Sequence, residues 1–281
     1  MHIFRDLAAW QAFRRQVTGG LGLVPTMGFL HAGHVSLVAR ARAENDLVVA
    51  TVYVNPLQFG QGEDFGAYPR DEARDLELLA QAGAQAVLLP TVAAMVPEGF
   101  QTQVTVGALA QPLEGAARPG HFAGVATVVT KLFCLTQPRR AYFGQKDAQQ
   151  VAVIQRLVKD LGFDVEVVVC PTVREADGLA LSSRNVYLSP QERQAAPVLY
   201  RALLAAQAAW AAGERQGERL RHLMRQTLNQ EPLAQTEYVS AAHPHTLQEA
   251  ELATGPLLLS LAVRLGRARL IDNLLLSEAV L

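Results

Sequence analysis

Short apolar runs alternate with amphipathic segments through the first 170 residues of the chain. Apolar runs bounded by turn residues predict buried strands, and apolar positions at helical spacing predict helices between them. The predicted strands lie at 21–25, 47–54, 86–89, 141–143 and 165–170, and the predicted helices at 33–44, 69–82, 124–135 and 148–161. The N-terminal 16 residues add a short strand and a helix. This alternation predicts a parallel sheet with helices on both faces, which binds ligands beyond the carboxyl ends of its strands.

The pattern changes after about residue 171. Two long helices are predicted at 190–212 and 213–228, followed by strands at 237–241, 257–263 and 268–275. The last two strands flank residues 264–267, which contain a glycine and are typical of a hairpin. We therefore predict an α/β domain over residues 1–172 and a smaller α+β domain over residues 173–281, with the boundary near 171–176.

Composition narrows the class of protein. A chain of 281 residues, half of them hydrophobic, can bury a large core and a smaller one. With 25 basic and 26 acidic residues the net charge is −1, which argues against a general nucleic-acid or membrane-surface binder. No apolar run matches a membrane span or a signal peptide. Cys134 and Cys170 lie far apart in apolar runs, so we predict buried free thiols in a cytoplasmic protein.

The strongest candidate for a functional site is the junction of the first long strand and the helix that follows it. Residues 24–45 are VPTMGFLHAGHVSLVARARAEN, with Val35, Leu37, Val38 and Ala41 on the predicted buried side of the helix and His31 and His34 on either side of Gly33. Metal binding would need a third ligand, and none follows at a natural spacing. A helix cap with two incidental histidines is a second interpretation. The third interpretation is a phosphate site. Unpaired N–H groups at the start of a helix attract a phosphate, and a glycine lets it approach the backbone. The imidazoles can donate hydrogen bonds to its oxygens, which suits nucleotidyl transfer.

A second candidate phosphate site is the segment LSSRN at 181–185. Two hydroxyls and a guanidinium can hold a triphosphate, because arginine stays charged and donates through a fork. Taken alone, Ser-Ser-Arg-Asn is more typical of an ordinary turn. The histidine stretch, however, resembles the HIGH-type signature of the nucleotidylyltransferase superfamily, whose members pair it with a second basic motif, and LSSRN is the candidate for that motif.

Further stretches occur together with these two motifs: VNPLQF at 54–59, RPGHFAGV at 118–125, FGQKDAQQ at 143–150, GLALSSRN at 178–185 and ARLIDN at 268–273. From about residue 23 to 273 the chain closely resembles the pantoate–β-alanine ligase (pantothenate synthetase) family. The resemblance implies a Rossmann-like parallel sheet followed by a smaller α+β domain, and commonly a homodimer. It also implies ATP-dependent condensation of pantoate with β-alanine through a pantoyl adenylate, with release of AMP and pyrophosphate.

The resemblance also implies roles for individual residues. His34 and His31 would stabilise charge on the phosphates, and Lys146 and Arg184 would bind them. Lys146 is one of only three lysines in an arginine-rich chain, which argues against an incidental surface residue. The ATP-binding positions would be Met27, Gly28, Phe29, Leu30, His31, Ala32, Gly33, His34, Gly144, Gln145, Lys146, Asp147, Val173, Leu181, Ser182, Ser183 and Arg184.

Pantoate would contact Gln58, Gln150 and Met27, with Phe59 as a further candidate, and Gln58 would also lie near β-alanine. Arg118 and His121 would line or close the site, with an ordinary surface loop as the alternative for both. The loop at 55–68 is a candidate lid. Magnesium would accompany ATP, chiefly on phosphate oxygens. Asp75 is its candidate protein ligand, although the family often has an acidic residue just before it, where this chain has Arg74.

Three alternative functions are weighed against the ligase. Another nucleotidylyltransferase would need extra cations for a phosphate-bearing acceptor, whereas the two glutamines suit a small hydroxy acid. A fragment of an aminoacyl-tRNA synthetase would need a basic surface for RNA. A non-catalytic nucleotide-binding protein would have no reason to keep His34, Lys146 and Arg184 together.

Overall fold

The computed structural model describes residues 1–277 and divides into two compact units. The first unit comprises Met1–Gly144 and Gln149–Pro171, and the second comprises Gln145–Ala148 and Thr172–Leu281. The short segment Gln145–Ala148 thus groups with the C-terminal half of the chain, whereas the sequence places it in the interior of the domain 1–172. Within residues 1–277, no helix combines the length and apolar character that crossing a membrane requires.

The first unit is built on a six-stranded sheet in which every paired strand is parallel. Its strands are β1 (His2–Phe4), β2 (Leu21–Thr26), β3 (Leu47–Val52), β4 (Ala86–Leu88), β5 (Arg140–Gly144) and β6 (Glu166–Cys170), in the order β1-β4-β3-β2-β5-β6. The chain runs outward from β2 to β4 on one side and then returns to β5 on the other. The neighbours β2 and β5 therefore mark the point where strand order reverses, which is where such sheets bind ligands.

Helices cover both faces of this sheet, which confirms the predicted architecture. They are α1 (Leu7–Arg14), α2 (Ala32–Glu44), α3 (Glu72–Gln81), α4 (Val92–Met95), α5 (Glu114–Ala117), α6 (His121–Thr136) and α7 (Ala148–Leu161). Side chains alternate along each strand, so Leu23 packs into one apolar cluster and Val24 into another. The helix α2 buries Leu37, Val38 and Ala41, as its spacing predicts, while Val35 is only half-buried.

The second unit has a three-stranded antiparallel sheet, β7 (Gln235–Ala242), β8 (Leu257–Leu265) and β9 (Ala268–Leu276), and three helices, α8 (Pro190–Ala195), α9 (Val198–Ala211) and α10 (Gly217–Leu228). The hairpin between β8 and β9 is confirmed, but its turn is shorter than predicted because β8 continues to Leu265, while β9 begins at Ala268 as predicted. The single helix predicted at 190–212 is wrong. Pro197 has no N–H to donate and lies between α8 and α9 as the N-cap of the second helix.

Two further predictions need correction. The helix predicted at 124–135 begins three residues earlier, at His121, after Gly120 in a left-handed conformation. Both cysteines are free thiols, but only Cys170 is buried, and Cys134 is exposed. The apolar residues around Cys134 belong to other faces of α6, so an apolar neighbourhood in sequence did not mean burial here.

Candidate active site

The loop after β2 is held in an unusual backbone conformation. Gly28 and Phe29 both have positive φ angles, +83° and +50°. Glycine adopts this conformation easily, but a phenylalanine there costs about 1–2 kcal/mol and needs support from its surroundings. The guanidinium carbon of Arg74 lies 5.6 Å from the centre of the Phe29 ring, which gives this arginine a packing role.

Asp75 on α3 supplies the support that the loop requires. Its two carboxylate oxygens accept hydrogen bonds from the backbone amides of Phe29 and Leu30, each at 2.7 Å. The carboxylate is almost completely buried, and burial raises its pKa although the two amides act in the opposite direction. The residue predicted as a magnesium ligand is therefore engaged through both oxygens in fixing the loop.

The two histidines form a reciprocal cap at the start of α2. The Nδ1 atom of His31 accepts from the Gly33 amide at 3.2 Å, and Nδ1 of His34 accepts from the His31 amide at 3.3 Å. A neutral imidazole that accepts at Nδ1 carries its proton on Nε2. The ring centres are 4.1 Å apart. The cap therefore gives the acceptor role to Nδ1 in both rings and the donor role to Nε2.

The glycine between the histidines is explained by this arrangement. A Cβ atom at Gly33 would lie 2.9 Å from the His31 ring, closer than real side chains pack. Any larger residue would displace the imidazole from its capping position. The His-x-Gly-His spacing thus serves both the cap and the placement of the donors.

The structure narrows one expectation about this loop. The sequence suggests that unpaired backbone amides receive a phosphate, and the amides at positions 28, 29, 30, 31 and 33 donate within the chain, to Thr26, Asp75, Asp75, His34 and His31. The histidine side chains add further hydrogen-bond donors at the start of α2.

The predicted pantoate residues Met27 and Gln58 lie together, although 31 positions separate them. The Gln58 amide oxygen accepts from Asn55 at 3.0 Å, and its nitrogen lies 3.1 Å from the Met27 sulfur. This orientation turns the N–H donors of Gln58 toward Met27. Phe59 contacts other rings, with its centre 5.4 Å from Phe65.

The backbone of Gln58 is fixed from the other side by the start of α6. His121 donates from Nδ1 to the Gln58 carbonyl at 2.8 Å, and its Nε2 atom lies 3.2 Å from Arg118. Arg118 also forms two short hydrogen bonds with Glu63 in the loop 55–68. Burial acts to raise the pKa of Glu63, but the Arg118 guanidinium brings it below its usual value.

His121 must remain neutral to make these contacts, because its Nε2 faces a cation. Burial lowers the pKa of His121 to about 4, and Arg118 acts in the same direction. The unfolded chain binds a proton near pH 6.5, whereas the folded chain does not, so stability falls as the pH drops from about 6.5 toward 4. Between pH 7.5 and 5 we expect a loss of about 2 kcal/mol from this group.

Urea unfolding at the two pH values tests this expectation, with His121→Asn as the control because asparagine keeps a donor and does not titrate. The wild-type chain should lose about 2 kcal/mol more than the variant. Equal losses in the two proteins would show that His121 does not couple folding to pH.

Gly124 allows α6 to approach the turn that carries Gln58. A Cβ atom at this position would lie 2.1 Å from the carbonyl oxygen of Leu57 and 2.6 Å from the amide of Gln58. We expect Gly124→Ala to destabilise the chain by about 1–3 kcal/mol, because the added methyl group forces α6 away from this turn. Thermal unfolding measures the effect. The control is Gly255→Ala, which enters open space, and equal behaviour of the two variants would refute the close-approach argument.

The second predicted glutamine, Gln150, is half-buried in the first turn of α7. Its neighbour Gln149, which the sequence does not single out, is buried and holds the segment before α6. It accepts from the Glu114 amide at 3.0 Å and donates to the carbonyls of Leu109 and Pro112. Of two adjacent glutamines, one is structural, and periodicity alone could not distinguish them.

Two of the predicted nucleotide segments meet within the second unit. The Leu181 amide donates to the Val173 carbonyl at 3.0 Å, and Arg174 and Ala180 form an antiparallel bridge. Ser182 caps the next turn by accepting from the Arg184 amide at 3.3 Å. Ser183 is buried, and Arg184 is half-buried. The two interpretations of this segment, an ordinary turn and a phosphate-binding motif, are thus compatible. The turn orders the side chains that would bind a phosphate.

Lys146 lies in a 3₁₀ turn at Gln145–Asp147, directly after β5, with its ammonium group 3.5 Å from the Asp147 carboxylate. Among residues 1–277, no group of three or more histidine, cysteine or acidic side chains is arranged to hold a metal ion.

Comparisons with known proteins agree on one family. The model described as pantoate-beta-alanine ligase matches residues 2–275. The pantothenate synthetase of Roseiflexus sp. (strain RS-1) is 58% identical over 276 residues, covering 98% of this chain and 99% of that protein. The pantothenate synthetase of Chloroflexus aggregans is 62% identical over 258 residues, covering 91% of this chain and 93% of that protein.

Solved structures give the same result. The crystal structure of pantothenate synthetase from Thermus thermophilus matches with a TM-score of 0.94 and 52% identity, covering 98% of this chain and 99% of that one. The pantoate-beta-alanine ligase from Francisella tularensis, crystallised with beta-gamma ATP and β-alanine, matches with a TM-score of 0.81 and 34% identity, covering 98% of this chain and 97% of that one.

Proposed function

The chain belongs to the pantoate-beta-alanine ligase family and joins pantoate to β-alanine at the expense of ATP; we propose that the reaction proceeds through a pantoyl adenylate. The observation that carries the proposal is the paired donor arrangement of His31 and His34, whose Nδ1 atoms are used in the cap. Donors held rigidly beside a phosphate stabilise charge that develops in the transition state.

In the first step, a carboxylate oxygen of pantoate attacks the α-phosphorus of ATP. A new phosphorus–oxygen bond forms, the bond to the β-phosphate breaks, and pyrophosphate leaves with the electron pair. His34 and His31 donate through Nε2 to the phosphate oxygens, and both rings remain neutral. This refines the expectation of a charged or donating imidazole, because a ring protonated at Nδ1 could not accept the amide that caps α2.

In the second step, the amine of β-alanine attacks the carbonyl carbon of the adenylate. The carbon–nitrogen bond forms, the bond from that carbon to the AMP oxygen breaks, and the amine releases a proton. AMP is a far better leaving group than the oxide of a free carboxylate, which explains why ATP is consumed. Gln58 would lie near this amine as well as near pantoate.

For pantoate we propose Gln58, Gln150 and Met27. The Gln58 amide is oriented by Asn55 so that its N–H groups point toward Met27. Such donors suit the hydroxyl and carboxylate oxygens of pantoate, while the thioether of Met27 suits its methyl groups. These uncharged side chains would bind a small hydroxy acid through hydrogen bonds and apolar contacts.

For ATP we propose the positions already given in the loop 27–34, in Gly144–Asp147, at Val173 and in Leu181–Arg184. Lys146 and Arg184 would neutralise phosphate charge, and the buried Ser183 would add a hydroxyl. Magnesium would enter as the MgATP complex, bound chiefly to phosphate oxygens and water. No protein carboxylate is assigned to it, since both oxygens of Asp75 already accept backbone amides.

We also propose that the protein is a cytoplasmic homodimer. ATP as a substrate and the free thiols Cys134 and Cys170 suit a reducing compartment. Sedimentation velocity at micromolar concentration tests the dimer, which the family resemblance suggests.

An isotope experiment tests the adenylate step. Pantoate labelled with ¹⁸O in its carboxylate reacts with MgATP and β-alanine, and mass spectrometry then examines the AMP. The adenylate route transfers one labelled oxygen to AMP, because the pantoate oxygen stays on the phosphate when the carbon–oxygen bond breaks. Unlabelled AMP alongside labelled pantothenate would overturn the proposed route.

A further inference from the structure

Asn273, near the end of β9, uses its whole side-chain amide on the turn that carries Lys146. Its Nδ2 atom donates to the carbonyls of Gln145 at 3.0 Å and of Lys146 at 2.8 Å. Its Oδ1 atom accepts from the Gln145 side chain at 3.0 Å. Asn273 is only 4% exposed, so its own amide is shielded from bulk water.

This set of contacts fixes the backbone on both sides of one residue. The carbonyls of positions 145 and 146 belong to the two peptide groups that flank the Lys146 Cα atom. With both groups held, the direction in which the Lys146 side chain leaves the backbone is set before any ligand arrives. Asparagine is otherwise disfavoured in strands, and a buried amide is costly unless it is bonded, so the tie to this turn accounts for its presence.

The residue before it ties a second segment to the same strand. Asp272 accepts from the Asn273 amide at 2.8 Å and pairs through both carboxylate oxygens with Arg174, at 2.6 and 2.8 Å. Arg174 also donates to the Gly178 carbonyl and lies with its guanidinium carbon 3.9 Å from the centre of the Tyr200 ring. Arg174 directly follows Val173, so the Asp272–Asn273 pair organises two of the proposed nucleotide segments.

We infer that Asn273 is a positioning residue that aligns Lys146 with the phosphates of ATP. The inference rests on the proposed role of Lys146 as a phosphate ligand. Asn273 itself needs no contact with substrate. Its effect is transmitted through the fixed 3₁₀ turn, and preorganisation of this kind matters because a displacement of about 1 Å in a catalytic group can cost roughly 100-fold in rate.

The test is Asn273→Asp, which keeps the shape and the Oδ1 acceptor but turns an oxygen toward two carbonyl oxygens. We expect pantoate-dependent pyrophosphate exchange to fall by roughly 10- to 100-fold, the KM for ATP to rise and the KM for pantoate to stay unchanged. If Asn273→Asp does not fold, Asn273→Ala provides the same comparison, because it removes the hydrogen bonds without placing an oxygen against the two carbonyls. Leu276→Ala is the matched control, because Leu276 is buried in β9 and its loss destabilises the unit without touching the turn.

A double-mutant cycle separates positioning from a purely structural role. Lys146→Met removes the ammonium group, and if Asn273 acts through it, Asn273→Asp has no further effect on exchange in that background. The inference would be overturned if the losses of exchange caused by Lys146→Met and Asn273→Asp multiplied in the double variant. An equal loss of exchange in Leu276→Ala would also overturn it. Absence of exchange in the wild-type chain would instead contradict the proposed function, while wild-type exchange in a folded Asn273→Asp would reject only the positioning role.

Discussion

Replacing His34 with asparagine should slow adenylation by roughly 100- to 1000-fold while leaving the chain folded. The asparagine Oδ1 atom can occupy the place of Nδ1 and accept the His31 amide, so the cap of α2 survives. The Nε2–H donor is lost, and with it the stabilisation of charge on the phosphates. Single-turnover release of pyrophosphate from pantoate and MgATP measures the rate, and thermal unfolding confirms the fold.

His34→Gln is the matched partner of that variant. The glutamine nitrogen reaches the position of Nε2, so this variant should retain more adenylation than His34→Asn, although it cannot reproduce the cap. If the two variants are equally slow, or if His34→Asn turns over at nearly the wild-type rate, the assignment of Nε2 as the catalytic donor is incorrect.

Replacing Asp75 with alanine should both destabilise the chain and impair ATP use. Two amides, the part-buried one of Phe29 and the buried one of Leu30, would lose their acceptors, at a cost of about 1–3 kcal/mol for the buried group. The left-handed conformation of Phe29 would lose its support, and the histidine cap that follows would shift. We expect kcat/KM for ATP to fall roughly 100-fold, and urea unfolding to report the lost stability.

Asp75→Asn distinguishes this role from ligation of magnesium. Asparagine keeps one acceptor and places an NH₂ group against the other amide, so we expect a smaller loss that added Mg²⁺ does not repair. If high Mg²⁺ concentrations restore activity to Asp75→Asn, the carboxylate acts on the metal and the loop-clamp explanation fails.

Much of this site could be predicted where its signals are local in sequence. The strand β2 and the helix α2 follow from the periodicity, and the histidines at the start of α2 follow from one short motif. The tautomers of His31 and His34 did not follow, because they depend on which backbone amide each ring accepts. The internal hydrogen bonds of five amides in this loop did not follow either, because each depends on where an acceptor side chain lies in the fold.

The contacts that could not be predicted join distant parts of the chain. Asp75 meets the amides of Phe29 and Leu30 across more than 40 residues, and Asn273 meets Lys146 across 127. In each case a buried polar side chain on one element holds a loop that is distant in sequence. Nothing in the sequence around that side chain indicates which loop it contacts. The surface position of Cys134 is also a property of packing, because it depends on which face of α6 meets the sheet.

The central claim is that the chain activates pantoate by adenylation before any amine is needed. Exchange of labelled pyrophosphate into ATP, measured with Mg²⁺ and without β-alanine, tests it most directly. We predict exchange that appears only when pantoate is present. An absence of exchange from a chain that still binds ATP would contradict it and would mean that the two motifs hold the nucleotide for a different acceptor.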